Sequence, residues 1–368
     1  MELQHSVVIV LYPAMQRWTI HLEGGPRRVN HAAVAIGEFI YSFGGYCTGE
    51  DYETTRPMDV HVLNTVSLRW KLLPLDAPEY ANIPYQRYGH TAVAFKENAY
   101  IWGGRNDKDG ACKRLFAFDS TSHKWSCPVV HGNIPGARDE EIERFSNEVH
   151  ALDLNRMTWT YIRTKGDAAR FRDFHTATAV GSSMFIFGGR SDEGDDIFTN
   201  NEIYCNKLQC LDTNTGLWSE PKRTAYNQLM FIMESCIFFG GYNGLHNVHF
   251  RDMFCFDPIT SHWSMVKMNG EGPCARRRQC CCVIDSKVFL FGGTSPVKCE
   301  LNNGRNEQDL IDHSDLHVLD FEPCLKTYCK LAVLKYKLDW SCLPGILKWE
   351  LSNMTTNNSI ARPLNSNG

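Results

Sequence analysis

The residues with most chemical potential in this chain recur instead of clustering. Arg and His stand three apart at Arg28/His31, Arg87/His90 and Arg172/His175, and aspartates return at Asp59, Asp119, Asp153, Asp212, Asp257 and Asp320. An imidazole beside a carboxylate suits proton transfer, but a reaction needs one such set, not one per repeat. The recurrence therefore favours structural hydrogen bonding for the His residues. For the Asp residues it favours turns, in which a carboxylate accepts nearby backbone N–H groups. Arg105 and Arg190 each follow a pair of glycines. A guanidinium held where the chain leaves a strand can grip a carboxylate through paired, charge-assisted hydrogen bonds.

Other chemistries lack their residues. The 15 cysteines contain no C-x-x-C pair, so zinc spacing is missing and neither a metal nor a cofactor is predicted. Cys280, Cys281 and Cys282 are consecutive; in a strand they would point to alternate faces and read as small, reduced hydrophobes of a cytoplasmic or nuclear protein. There is no G-x-S-x-G, H-E-x-x-H or phosphate-binding loop. The net charge of −4 offers no nucleic-acid face, and Arg276–Arg278, the one tight basic cluster, reads as a solvated loop. Val7–Met15 is apolar but too short to span a membrane, and it lacks the basic flank of a signal peptide.

The elements that must carry these residues are short strands. Tryptophans fall at Trp18, Trp70, Trp125, Trp159, Trp218 and Trp263, at steps of 52, 55, 34, 59 and 45 residues. Five aromatic-rich strands end in paired glycines: "YSFGGY", "YIWGGR", "FIFGGR", "IFFGGY" and "FLFGGT". Between each glycine pair and its tryptophan lies an alternating strand such as "MFCFDPITSHW". This punctuation resembles the kelch repeat, one blade of a β-propeller. The fold expected is all-β: a six-bladed kelch propeller over residues 17–322, after an extension at 1–16. The last unit has no tryptophan strand, and the chain opens with an orphan one, "RWTIHL" (Arg17–Leu22). Pairing of that strand into the last blade would close the ring and remove its free edges.

Two units depart from the pattern. Only 34 residues separate Trp125 from Trp159 and the glycine pair is absent there, so the third blade is truncated; the fifth is shortened and lacks the Arg-x-x-His opening. The sequence is compatible with a stunted blade, with a splice form and with an imperfect gene model.

After the last blade, Leu325, Tyr328, Cys329, Ala332, Val333 and Tyr336 fall on one face of a helix, while Lys326, Lys330 and Lys335 lie off it. Residues 323–352 are expected to form this short α-helical segment and 353–368 a disordered tail. Leu325, Cys329 and Val333, with the small Cys324 ahead, resemble the elongin-binding box of ubiquitin-ligase receptors. Leu343, Pro344 and Leu347 resemble the cullin-2 box that follows such a helix.

Together these features resemble the kelch-repeat substrate receptors of cullin-2 RING ubiquitin ligases. The resemblance implies a non-enzymatic adaptor whose partners are elongin B and C, cullin-2, a RING subunit and the C-termini of client proteins. Glycine-ended client tails would be held by basic and hydroxyl side chains in the propeller mouth, where Arg190 is the matched position and Arg105 a further candidate. The relatives' second arginine is missing from "SDEGDDIFTN". A kelch scaffold outside any ligase, nuclear or chromatin-associated with a meiotic role, is the alternative. A copper-dependent propeller oxidase is a third class, but its Tyr/His/Cys set is not assignable here.

Overall fold

A computed structural model describes residues 16–50, 55–74, 82–135, 146–193, 201–221, 236–297 and 310–360. Among the described residues, six sheets of three or more strands form the blades, and three two-stranded ribbons extend from blades 4, 5 and 6. Blade 1 is a four-stranded meander, Ala32–Ile36, Phe39–Phe43, Val60–Asn64 and Arg69–Leu72, ordered from the ring centre outward. Blades 2 and 4 repeat that order. The orphan strand Arg17–Leu22 pairs antiparallel with Leu316–Asp320 of blade 6, with Arg17 opposite Asp320 and Leu22 opposite Leu316. The ring closes as the sequence requires.

Each tryptophan packs on the blade before its own. Trp70 of blade 1 meets Phe291 of blade 6 at 5.0 Å, and Trp125 of blade 2 meets Phe43 of blade 1 at 5.7 Å. Trp159 meets Trp102 at 4.8 Å, Trp263 meets Phe187 at 5.4 Å, and Trp18 meets Phe239 at 6.1 Å. Burying such a ring is worth about 1.5–3 kcal/mol, and here that energy exists only when two blades touch.

The paired glycines make the joint between blades. The N–H groups of Gly45, Gly241 and Gly293 donate to the carbonyls of Arg87, Arg276 and Arg28, each in the following blade, at 2.8, 3.0 and 2.9 Å. At Gly45 and Gly293 a Cβ would press on the opening of the same blade, whereas at Gly241 it would meet nothing within 4 Å. One on Gly45 would lie 2.7 Å from His31 Cβ, and one on Gly104 2.7 Å from His90 Cβ, with φ at +82° and +77°. The imidazole of the blade 2 opening wedges under the preceding blade: His90 Nε2 donates to the Phe43 carbonyl at 3.0 Å. Gln279 does the same in blade 6, donating to Phe239 at 2.9 Å. "RRRQ" is thus a fourth opening with Gln in place of His.

The arginines of the openings reach back to their own glycine pairs. Arg87, Arg172 and Arg276 donate to the carbonyls of Gly103, Gly188 and Gly292. This corrects the reading of Arg276–Arg278 as a solvated loop, since Arg276 is 1% exposed and forks onto both oxygens of Asp315 at 2.6 and 2.7 Å. Asp119, Asp153, Asp212 and Asp257 each accept two backbone N–H groups in the turn after the third strand, and Asp320 accepts one. Asp59 does not belong with them. It precedes the third strand and pairs, buried, with Arg28, while Asn64 makes the turn of blade 1.

Blade 3 is stunted. Its described strands are Val149–Asp153 and Thr158–Ile162, with His131–Gly132 running parallel to the outer one. Blade 5 shows three strands, Cys236–Phe239, Met253–Asp257 and His262–Met265. The shortened stretches 136–145 and 222–235, like Val7–Met15, lie outside the described residues.

Two helices follow blade 6: α1 (Leu325–Lys335) and α2 (Gly345–Thr355). Residues 353–360 correct the expectation of disorder. Asn353 and Met354 are buried at the end of α2. Asn358 donates its backbone N–H to Glu23 at 2.8 Å, its side-chain oxygen accepts from Trp70 N–H at 2.9 Å, and its side-chain amide donates to Leu68. The Asn amide imitates a peptide group and joins the outer strand of blade 6 to that of blade 1. Polar composition hid this, because the segment is held by hydrogen bonds and not by apolar burial.

Two outcomes follow for stability. Gly45→Ala should cost about 2–4 kcal/mol in chemical denaturation, combining overpacking with positive-φ strain. Gly49→Ala, with φ +86° and nothing within 4 Å, should cost only about 1 kcal/mol. Equal losses would refute the close-approach account. The second concerns pH. Burial lowers the pKa of His31 to about 3 and those of His61 and His90 to about 4. The unfolded chain takes up these protons near pH 6.5 while the folded chain does not, so stability complete above pH 7 falls as pH drops toward 4. The melting temperature should fall between pH 7 and 5, and less steeply in His90→Gln.

Candidate functional site

Two surfaces carry the residues singled out in the sequence. The first is the helical segment. α1 turns Leu331 and Leu334 onto the core cluster of Leu22, Leu63, Leu68 and Trp70, at the seam of blades 6 and 1. Glu350 of α2 accepts from Lys326 at 2.6 Å and Lys330 at 3.1 Å, tying the two helices together. α2 buries Leu351 and Met354 and packs on the strand Arg17–Leu22. The helices are held from behind, and the opposite side of α1 faces solvent.

That outer side contains the sequence candidates. Leu325 is 78% exposed and Tyr336 65% exposed. Cys324 and Cys329 are exposed, Val333 and Ala332 half-buried. Cys324 stands at the N-cap of α1, where the Thr327 hydroxyl and backbone N–H groups hold its thiol pKa below the ordinary value. Pro344, at the N-cap of α2, is exposed, and Leu343 and Leu347 are half-buried. Ile346 and Trp349 extend this apolar surface at 61% and 44% exposure. The stripe read from the sequence must face outward to dock a partner, and Leu325, Tyr328, Cys329 and Tyr336 are exposed, while Leu331 and Leu334, outside that stripe, pack on the propeller. Their three-residue spacing was the available signal.

The second surface lies where the blade openings and the segments after the glycine pairs emerge together. Arg190 forks onto Asp173 at 3.1 and 2.7 Å and also donates to Glu202 at 2.9 Å. These two carboxylates hold its pKa above the ordinary arginine value. Arg190 is therefore engaged within the chain. Arg105 is exposed, across the strand pair from Tyr88.

Sequence reasoning missed the centre of this surface. Arg278 of blade 6 donates to the Tyr46 hydroxyl of blade 1 and lies 5.4 Å from the ring of Phe174 in blade 4. Arg190 meets the same ring at 5.2 Å. Arg277 lies 4.0 Å over Tyr242 of blade 5, and Tyr46 packs on Tyr88 of blade 2 at 5.6 Å. Five blades thus meet through aromatic rings and guanidinium groups. Neither Arg277 nor Arg278 makes an ion pair among the described residues. The signal was positional, since Phe174 and Arg278 both occupy the third place of an opening, with φ of +53° and +64°.

His21, Asp315 and His317 bring their ligand atoms within 4.8 Å of one another. Arg276 already occupies both Asp315 oxygens, and the two imidazoles stack at 4.3 Å. The Asp315 carboxylate is thus committed to a buried ion pair with Arg276 beside the closing strand, and the trio does not read as a metal cage.

Comparison with known proteins agrees with this architecture. A family described as the KLHDC2/KLHL20/DRC7 Kelch-repeats domain matches residues 30–142 and 139–293. Kelch domain-containing protein 3 of Bos taurus is 51% identical over 385 aligned positions, covering 95% of this chain and 99% of the relative. The human protein of that name is 50% identical over the same coverage. Because the alignment is longer than this 368-residue chain, the relative holds residues that this chain lacks. Host cell factor of Drosophila melanogaster is 27% identical over 70% of this chain and 19% of its own length. The kelch propeller is typically a non-enzymatic scaffold for protein binding. With strand order, glycine joints and tryptophan packing in agreement, this chain belongs to the kelch-repeat family and is similar along nearly its whole length to kelch domain-containing protein 3.

Proposed function

We propose that this chain is the substrate-recognition adaptor of a cullin-2 RING ubiquitin ligase, acting in the cytoplasm and nucleus. The observation that carries the reading is the ridge on α1. Leu325, Tyr328 and Cys329 face solvent on a helix anchored from behind by Leu331 and Leu334. A helix fixed in this way lays an apolar edge into a partner's groove with little loss of entropy. Cys324, Leu325, Cys329 and Val333 contact elongin C. Leu343, Pro344 and Leu347, flanked by Ile346 and Trp349, contact cullin-2, which brings the RING subunit.

The propeller mouth holds the client. Arg277 and Arg278 bring positive charge among Phe174, Tyr46 and Tyr242, an arrangement suited to a C-terminal carboxylate. Arg190 shapes that wall through Asp173 and Glu202, and its own charge is spent on them. Arg105 lies at the rim. Client tails ending in glycine leave space for the carboxylate to reach the guanidinium groups.

Co-purification with elongin B and C tests the first surface. Leu325→Asp and Cys329→Asp should each reduce recovery of elongin about thirtyfold or more, the loss typical of a central interface residue, with the melting temperature unchanged because both side chains are exposed. Undiminished recovery would leave a kelch scaffold outside any ligase. Fluorescence polarisation tests the second surface. A glycine-ended peptide with a free carboxylate should bind about tenfold or more tightly than its amide, a charge-assisted pair being worth roughly 1.5–3 kcal/mol. Arg278→Ala should abolish the difference. Equal binding of acid and amide sinks the carboxylate reading.

A further inference from the structure

A thiol outside both surfaces has an environment of its own. Cys274 lies two residues ahead of the blade 6 opening, between the ribbon strand Thr294–Pro296 and the segment leading into Leu316–Asp320. Arg276 Nη2 donates to its sulfur at 3.3 Å, and His313 Nε2 lies 3.5 Å from it. Ser295 Oγ is 3.7 Å from the sulfur and 2.8 Å from the same imidazole nitrogen. Cys274 is half-buried, neither sealed in the core nor fully open to solvent.

These partners are fixed by bonds that do not involve the thiol. Arg276 is locked by both oxygens of Asp315 and by the Gly292 carbonyl. The His313 backbone N–H donates to Gly293 at 2.9 Å, and Ser295 is 5% exposed. A guanidinium and an imidazole are therefore held against one sulfur in advance of any reaction. Burial raises the Cys274 pKa, but the His313 hydrogen bond and the Arg276 charge outweigh it and bring the thiol down to about 6. Burial instead pushes Cys236 up to about 12 and Cys282 to a still higher value.

We propose that Cys274 is a modification site for small two-electron oxidants of the hydroperoxide class, with His313 as the proton carrier. In the reacting form the thiol proton resides on His313. The thiolate attacks the nearer peroxide oxygen, a sulfur–oxygen bond forms and the oxygen–oxygen bond breaks. Sulfur is oxidised by two electrons to the sulfenic acid level and the peroxide is reduced. The departing hydroxide takes the proton from His313 and leaves as water. The oxygen gained sits between Arg276 and His313, at the root of the loop that carries Arg277 and Arg278. Nucleophiles of this kind depend on a thiolate stabilised by adjacent cations.

The full chain tests this by mass spectrometry, with Cys342, exposed on the loop between α1 and α2, as the internal reference. With iodoacetamide over a range of pH, labelling at Cys274 should have its midpoint near 6, well below the value of about 8.5 for an unperturbed thiol. At pH 6 the Cys274 rate should exceed the Cys342 rate roughly tenfold, after allowing for the lower intrinsic nucleophilicity of a low-pKa thiol. Hydrogen peroxide with dimedone should give its adduct first at Cys274. His313→Gln should raise the Cys274 midpoint by about one unit and leave Cys342 unchanged. Continued protection of Cys236 reports that the variant is folded, and Ser295→Ala serves as a second variant should it not be. A Cys274 midpoint equal to that of Cys342 in the unmutated chain overturns the proposal, as does a folded His313→Gln chain with an unshifted midpoint.

Discussion

The bond from Gly45, Gly241 and Gly293 to the next blade's arginine carbonyl is the constraint on which the ring depends. The two backbones come closest at the first glycine of the pair, where a Cβ on Gly44, Gly240 or Gly292 would lie 2.9, 2.9 or 2.6 Å from the next blade's arginine carbonyl, and the joint seats the His90 imidazole or the Gln279 amide under the preceding sheet. The bond is made at the seams of blades 5 and 6, 6 and 1, and 1 and 2, and the innermost strands of blades 6, 1 and 2 lie side by side. Blades 3 and 5 supply no opening among the described residues. The two largest buried clusters span blades 6, 1 and 2, whereas blades 3, 4 and 5 share smaller ones. Cohesion follows the joint.

Much of this was legible in the sequence because each repeated feature has one physical role. A tryptophan at a strand end, a glycine pair and an orphan first strand need only periodicity to be read. The failures occur where one residue type has two roles. Asp59 and Asp119 look alike, but one precedes the third strand and neutralises Arg28, while the other follows it and makes a turn. The three arginines at 276–278 look like one basic patch, yet one is buried, one lies on a tyrosine and one spans to another blade. Contacts across the ring, such as Arg278 with Phe174, leave no trace in local spacing. The candidate residues of α1 were found by spacing, but spacing did not say which side the propeller covers.

The mouth and the helices have a common mechanical root. Blade 6 carries Arg277 and Arg278 at one end and continues directly into α1 at the other. The seam with blade 1 is bound by the closing strand, by Leu331 and Leu334, and by Asn358. A stiff connection of this kind keeps the mouth and the helical ridge in a fixed relation, as the proposed adaptor role requires. The stunted third blade lies away from that seam, which explains how strands can be missing there while closure is preserved.

The pairing of Arg17 with Asp320 also governs how the protein is made. The strand Arg17–Leu22 is made long before its partner Leu316–Asp320, and Asn358 comes later still. Closing so long a loop is slow because the entropic cost precedes the reward of contact. During synthesis the early blades must therefore wait with an open edge, exposed to association with other nascent chains. A chain halted before residue 316 would have no means of completing its circle, so translation to the end serves as the check on a finished propeller.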